Sequence, residues 1–109
     1  MTTSSAPWHR AAAAASLPPG QCCTVQVAGR ELALVNLDGA FFAIDNECPH
    51  KGAPLGAGLV ENGCLYCPLH GWAFEVETGA CRSNPEKPVA TYPVKMEAGE
   101  VWVAFPGKC

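Results

Sequence analysis

Two pairs of thiol and imidazole side chains constrain this chain more than anything else in it. Cys48 and His50 stand two apart, and after sixteen intervening residues Cys67 and His70 stand three apart. Each pair is wrapped in Pro and Gly: Cys48-Pro49-His50-Lys51-Gly52 and Cys67-Pro68-Leu69-His70-Gly71-Trp72. Proline and glycine keep the backbone out of regular pairing and leave its N–H groups free to point at sulfur. Gly52 and Gly71 also allow close approach. Between the pairs, Asn62-Gly63 favours a tight type I′ turn joining Leu59–Glu61 to Cys64–Tyr66. Such a hairpin folds back so that its two outer ends lie side by side, and Cys48, His50, Cys67 and His70 then converge.

Thiolate and neutral imidazole are ligands of zinc, copper and iron–sulfur centres. Zinc takes two cysteines and two histidines tetrahedrally, usually with the cysteines paired in one knuckle. That knuckle is absent here. An iron–sulfur centre with two histidines takes a cysteine pair on one iron and a histidine pair on the other, so each loop gives one ligand to each iron. The Cys-then-His order of both loops suits this second arrangement, with a structural zinc module as the non-redox alternative. The bland alternative is two core cysteines and two surface histidines.

The rest of the composition narrows the class. A length of 109 residues is one small domain. Ten Pro and eleven Gly mean many turns and few long helices. With a net charge of -3 there is no basic stripe for nucleic acid. No apolar run approaches the roughly 20 residues of a membrane span. Arg10 and the alanines after it make too poor an apolar segment for a leader. A cytoplasmic chain with reduced thiols is expected. Seven cysteines cannot all pair, and Cys22, Cys23, Cys64, Cys81 and Cys109 read as packing residues or, at the terminus, as incidental.

Along the chain, Trp8–Leu17 carries the best helix signal, on alanine content alone. Short strands follow. Arg30–Asp45 reads as a hairpin about Asp38-Gly39, with Leu32, Leu34 and Asn36 on one face and Ala33, Val35 and Leu37 on the other. Residues 73–83 read as two strands about Thr78-Gly79, and residues 90–105 as a closing hairpin with Pro93 at an edge or bulge. Phe41, Phe42, Trp72, Phe74 and Trp102 read as core, His9 as a solvated side chain, and Glu47 and Lys51 as rim charges of little weight. The fold class is all-β.

The two boxes resemble the cluster-binding boxes of Rieske proteins, and the likeness extends over almost the whole chain. It implies an antiparallel β-sandwich base with a smaller cluster-binding subdomain of two loops on a hairpin, all in one Rieske domain. Residues 46–88 would form that subdomain, and residues 1–45 and 89–109 the base. It implies one [2Fe–2S] cluster held by Cys48 and Cys67 on the inner iron and by His50 and His70 on the outer. Ser83–Pro88 resembles the family's proline loop, which covers the cluster.

Departures from the family pattern are informative. Rieske proteins of cytochrome bc-type complexes carry a further cysteine in each box, joined as a disulfide. Here those positions are Ala53 and Leu69. The same proteins place a serine and a tyrosine after the second box, where this chain has Trp72 and Phe74. Without those hydroxyls on cluster sulfur, the potential is expected near the low end of the Rieske range, about −150 mV rather than +300 mV. The chain is thus similar to the soluble ferredoxins of aromatic-ring dioxygenases. Such a protein is an electron carrier, not an enzyme, with a flavoprotein reductase and a terminal Rieske oxygenase as partners, and a monomer. The small subunit of an assimilatory nitrite reductase is the alternative, with that enzyme's large subunit as partner. A whole oxygenase has no room for its catalytic domain.

Overall fold

Two-residue turns set most of the strand order. The structure, a computed structural model, describes residues 8–48, 53–68 and 71–104. Four hairpins turn through Ala28-Gly29, Asp38-Gly39, Asn62-Gly63 and Ala98-Gly99, with both residues of each pair at positive φ. This is the backbone shape that matches the twist of the flanking strands. At Asp38-Gly39 and Asn62-Gly63 the residue types announce it. At Ala28 and Ala98 they do not, and alanine is held at φ 49° and 53° by the strands on either side.

The strands are β1 (Trp8–Ala13), β2 (Gln21–Val27), β3 (Arg30–Leu37), β4 (Ala40–Asp45), β5 (Leu59–Glu61), β6 (Cys64–Tyr66), β7 (Ala73–Glu75), β8 (Thr91–Tyr92), β9 (Val94–Glu97) and β10 (Glu100–Ala104). They form three antiparallel sheets, β1-β10-β9, β2-β3-β4-β8 and β5-β6-β7. The fold is all-β, as expected from the sequence.

Trp8–Leu17 is not a helix. Trp8–Ala13 pairs with β10, with an irregularity in register between Arg10 and Ala12, and only Ala14–Ser16 makes a 3₁₀ turn. Ten alanine-rich residues cannot hold a helix alone, whereas the edge of β10 offers a ready ladder. His9 accordingly lies within β1, opposite Val103, and is partly buried rather than solvated. The segment read as two strands about Thr78-Gly79 gives one strand, β7. The return leg is reduced to a single bridge between Phe74 and Cys81. Pro93 is neither bulge nor mere edge. It separates β8, which pairs with β4, from β9, which pairs with β10, so the chain changes sheets there.

The central strand β3 is buried on both faces. Leu32 and Leu34 join Val25, Val27, Ala43, Val101 and Val103 in one core, which glues the two larger sheets together. Ala33 and Val35 join Ile44, Leu55, Leu65, Phe74, Val76, Cys48 and Cys67 in the other. Asn36 is buried on the leucine side, where its amide donates to Leu17 O (2.7 Å) and its carbonyl accepts from Gly39 N (2.7 Å). Of the expected core aromatics, Phe74 is fully buried, while Phe41, Phe42, Trp72 and Trp102 are partly so.

The end of β4 is tied to the segment that returns from residues 83–88. The Asp45 carboxylate accepts from Tyr92 Oη (2.5 Å), Ala90 N (3.0 Å) and Arg30 Nη2 (3.3 Å). Burial, with the bond to Asp45 second, pushes the Tyr92 phenol up to about 12. The folded state therefore holds this proton more tightly than the unfolded chain does. Its contribution to stability is complete below about pH 10, the unfolded value, and is lost as pH rises toward 12. Urea titrations between those limits should show stability falling with pH, and Tyr92→Phe should flatten that decline.

Candidate metal centre

The second box sits on a regular hairpin. β6 and β7 pair through Cys64↔Glu75, Leu65↔Phe74 and Tyr66↔Ala73. The ladder ends with Cys67 N donating to Trp72 O (2.8 Å), and Gly71 N turns back onto Cys67 O (3.0 Å). These two bonds tie Gly71 and Trp72 back onto Cys67. Gly71 has φ +74°, a conformation that side-chain-bearing residues avoid.

The first box is closed in the same way. Cys48 N donates to Ala53 O (2.9 Å), so in both boxes the cysteine amide bonds the carbonyl five positions on. Leu55 N donates to Asn46 O (2.6 Å), and Glu47 bridges Pro54. Among the described residues, this bridge is the one strand-like pairing between the two sides of the box. The chain enters from β4 and leaves into the 3₁₀ turn Leu55–Ala57.

Both expected cysteine ligands are interior. Cys48 is 1% and Cys67 4% exposed, and both pack with Phe74, Leu65 and Leu55. His50 and His70 lie outside the described residues, as do Lys51, Gly52 and Leu69. Two buried thiols, each at the root of a short loop whose histidine follows at once, are a donor set that suits an iron–sulfur centre with mixed ligands.

The other described cysteines have different surroundings. None of the described cysteines is bridged to another. Burial pushes the Cys22 thiol up, helped by Cys23, against a lowering bond to Gly58; burial also raises Cys23. Both therefore stay protonated, poor as ligands or nucleophiles. Cys22 Sγ instead donates to Gly56 O and Gly58 O (both 3.4 Å). Cys81 Sγ accepts from Asn84 N (3.3 Å). Together with Ser83 Oγ, which accepts from Ala73 N (3.2 Å), it pins the start of the Ser83–Pro88 loop beside the second box. Neither Cys81 nor Ser83 carries a spacing signature for this role, since one bonds its own loop and the other a backbone N–H of β7.

Comparison with known proteins agrees with this geometry. Residues 7–93 match the family model described as "Rieske [2Fe-2S] domain". A ferredoxin component of naphthalene 1,2-dioxygenase/salicylate 5-hydroxylase systems from Ralstonia sp is 40% identical over 91 residues, covering 83% of this chain and 88% of the relative. Among solved structures, a chain in the complex of reduced oxygenase and oxidized ferredoxin of a carbazole 1,9a-dioxygenase superposes with TM-score 0.82 at 34% identity, covering 94% of this chain and 95% of that one. A putative NADH-dependent nitrite reductase small subunit from Mycobacterium tuberculosis superposes with TM-score 0.87 at 29% identity, covering 94% of this chain and 97% of that one. With matched loops, interior thiols and a family match over most of its length, this chain belongs to the Rieske [2Fe–2S] domain family.

Proposed function

We propose that this chain is a Rieske ferredoxin, which takes single electrons from a flavoprotein reductase and delivers them to a terminal Rieske non-haem iron oxygenase. Cys48, His50, Cys67 and His70 hold its one [2Fe–2S] cluster, within a single domain whose residues 46–88 carry the cluster on a base of 1–45 and 89–109. The observation that carries this is the pair of like-closed loops, each rooted in a buried cysteine. The cluster, when bound, accepts and releases one electron. The protein contributes burial and rigidity. Cys48 and Cys67 are shielded from water, and the Cys81 and Ser83 contacts keep the following loop against the second box. Such an electron site needs no substrate pocket of its own.

No helix of the described residues is long and apolar enough to cross a membrane. A cytoplasmic carrier with reduced thiols fits the unbridged cysteines. A carrier that docks on two proteins in turn is best served by a monomer with a small, wet interface.

The nitrite reductase small subunit is the second reading, favoured by the higher TM-score of that neighbour. Both protein types share this fold, so backbone similarity separates them poorly. Sequence identity, 40% to the dioxygenase ferredoxin component, weighs toward the carrier. The purified protein should be red-brown, with equal iron and acid-labile sulfide. It should support turnover when mixed with an aromatic-ring oxygenase and its reductase. A colourless zinc protein would sink the redox reading. A coloured protein that supports no oxygenase but binds a nitrite reductase large subunit would replace the carrier with the alternative.

A further inference from the structure

Two polar side chains are buried among the described residues, Asn36 and Asn46. Asn36 serves the base. Asn46 stands at the entrance to the first box, two residues before Cys48. Its Oδ1 accepts from Gly56 N (2.8 Å) and from Thr24 Oγ1 (3.0 Å). Its backbone carbonyl accepts from Leu55 N (2.6 Å). Its Nδ2 donates to Glu31 Oε1 (3.4 Å), and Glu31 Oε2 in turn accepts from Gln26 Nε2 (3.2 Å). One residue therefore joins the chain entering the first box to the chain leaving it, and both to β2 and β3.

We infer that Asn46 is the positioning residue of the first ligand loop, a role that rests on the proposed cluster ligation by Cys48 and His50. The two boxes show why one is needed. The second is anchored by three paired residues of β6 and β7, whereas among the described residues of the first a single bridge, Glu47 to Pro54, stands in place of a strand ladder. Asn46 supplies the missing ladder with side-chain bonds. The tightness of the joint supports this. A Cβ at Gly56 would fall 2.2 Å from Thr24 Oγ1 and 2.6 Å from Thr24 N, so the exit turn is pressed directly onto β2. The Gly56 N–H also fixes which end of the Asn46 amide faces the loop, since only the carbonyl can accept it. A clamp at both ends of this loop fixes where Cys48 is presented, between the Asn46 carbonyl and the Leu55–Ala57 turn. Residues that orient metal ligands in this manner typically change metal retention by about 10–100-fold when lost.

The test uses holo-protein and excess EDTA, following bleaching of the visible absorption, with midpoint potential and EPR g-values as companion readouts. Asn46→Ala is expected to bleach about tenfold faster or more, with shifted potential and g-values. Asn36→Ala, equally interior but bonded to Leu17 and Gly39, should lower the melting temperature while bleaching rate, potential and g-values stay as in the wild type. Exchanging the polarity of the pair, Asn46→Asp with Glu31→Gln, keeps an acceptor for Gly56 and Thr24 and gives the donor to residue 31. This double variant should recover the wild-type bleaching rate, while Asn46→Asp alone, which sets two carboxylates together, should not. If Asn46→Ala does not accumulate, Asn46→Ser, too short to span to Gly56, is read in its place. The inference is overturned if the Asn46 variant bleaches at the wild-type rate, if Asn36→Ala bleaches as fast as it does, or if the double variant folds yet stays fast. Wild-type protein without iron would instead overturn the cluster reading beneath it.

Discussion

Cys67→Ser is expected to give a folded protein with no red-brown colour, its iron and labile sulfide at background. Serine is nearly the size of cysteine, so the box can still close through the residue 67 amide and Trp72 O. The loss is chemical. A thiolate forms readily next to a metal and is a soft donor, whereas an alcohol stays protonated and is a hard one. Cys48→Ser should behave alike. Cys81→Ser is the discriminating control. Cys81 is just as interior, at 2% exposure, and lies in the same core, but its sulfur accepts an N–H from Asn84, which a hydroxyl oxygen can also do. Absorbance near the visible maximum, with iron and sulfide analysis, reads all three variants. Colour retained in Cys67→Ser, or lost equally in Cys81→Ser, would remove Cys67 from the ligand set.

Gly58→Ala is expected to cost much stability. A Cβ there would sit 1.9 Å from Tyr66 O and 3.1 Å from Leu55 O. Both are backbone atoms, and Tyr66 lies in β6, so no flexible side chain can swing away. Relief requires moving β5 and β6 apart or displacing the Leu55–Ala57 turn, whose closing bond is Gly58 N to Leu55 O (2.9 Å). Overpacking of this kind costs about 3 kcal/mol, and a domain of this size loses ~4–8 °C of melting temperature per kcal/mol. Thermal denaturation of the variant checks it. A melting temperature within a few degrees of wild type would mean that the approach of Gly58 to Tyr66 is not maintained in solution.

Much of this arrangement was legible in the sequence wherever chemistry and local geometry coincide. Asp38-Gly39 and Asn62-Gly63 specify turns through the residues themselves, and the type and spacing of the Cys–His boxes propose a ligand set. The alternation in β3 correctly sorted Leu32, Leu34 and Asn36 from Ala33 and Val35. What failed was long-range. The alanines of Trp8–Ala13 favour a helix by local propensity, and only pairing with β10, far along the chain, makes the segment a strand. Asn46 was invisible for a related reason. An asparagine at a strand end looks like ordinary loop chemistry until Thr24, Glu31 and Gly56 are seen around it. The sheet change at Pro93 likewise depends on partners that lie far away in the chain.

The apolar residues on the two faces of β3 differ in volume, and this bears on how the chain finds its pairing. Leucines fill one side, while alanine and valine fit the other. In a half-exposed strand, slipping by one position is penalised because apolar groups meet water. Here a slip would press Leu32 and Leu34 into the narrow niche behind the cysteine loops and leave Ala33 rattling between the sheets. Crowding and voids would then arise together, so bulk helps to enforce alignment in the strand behind the two cysteine loops.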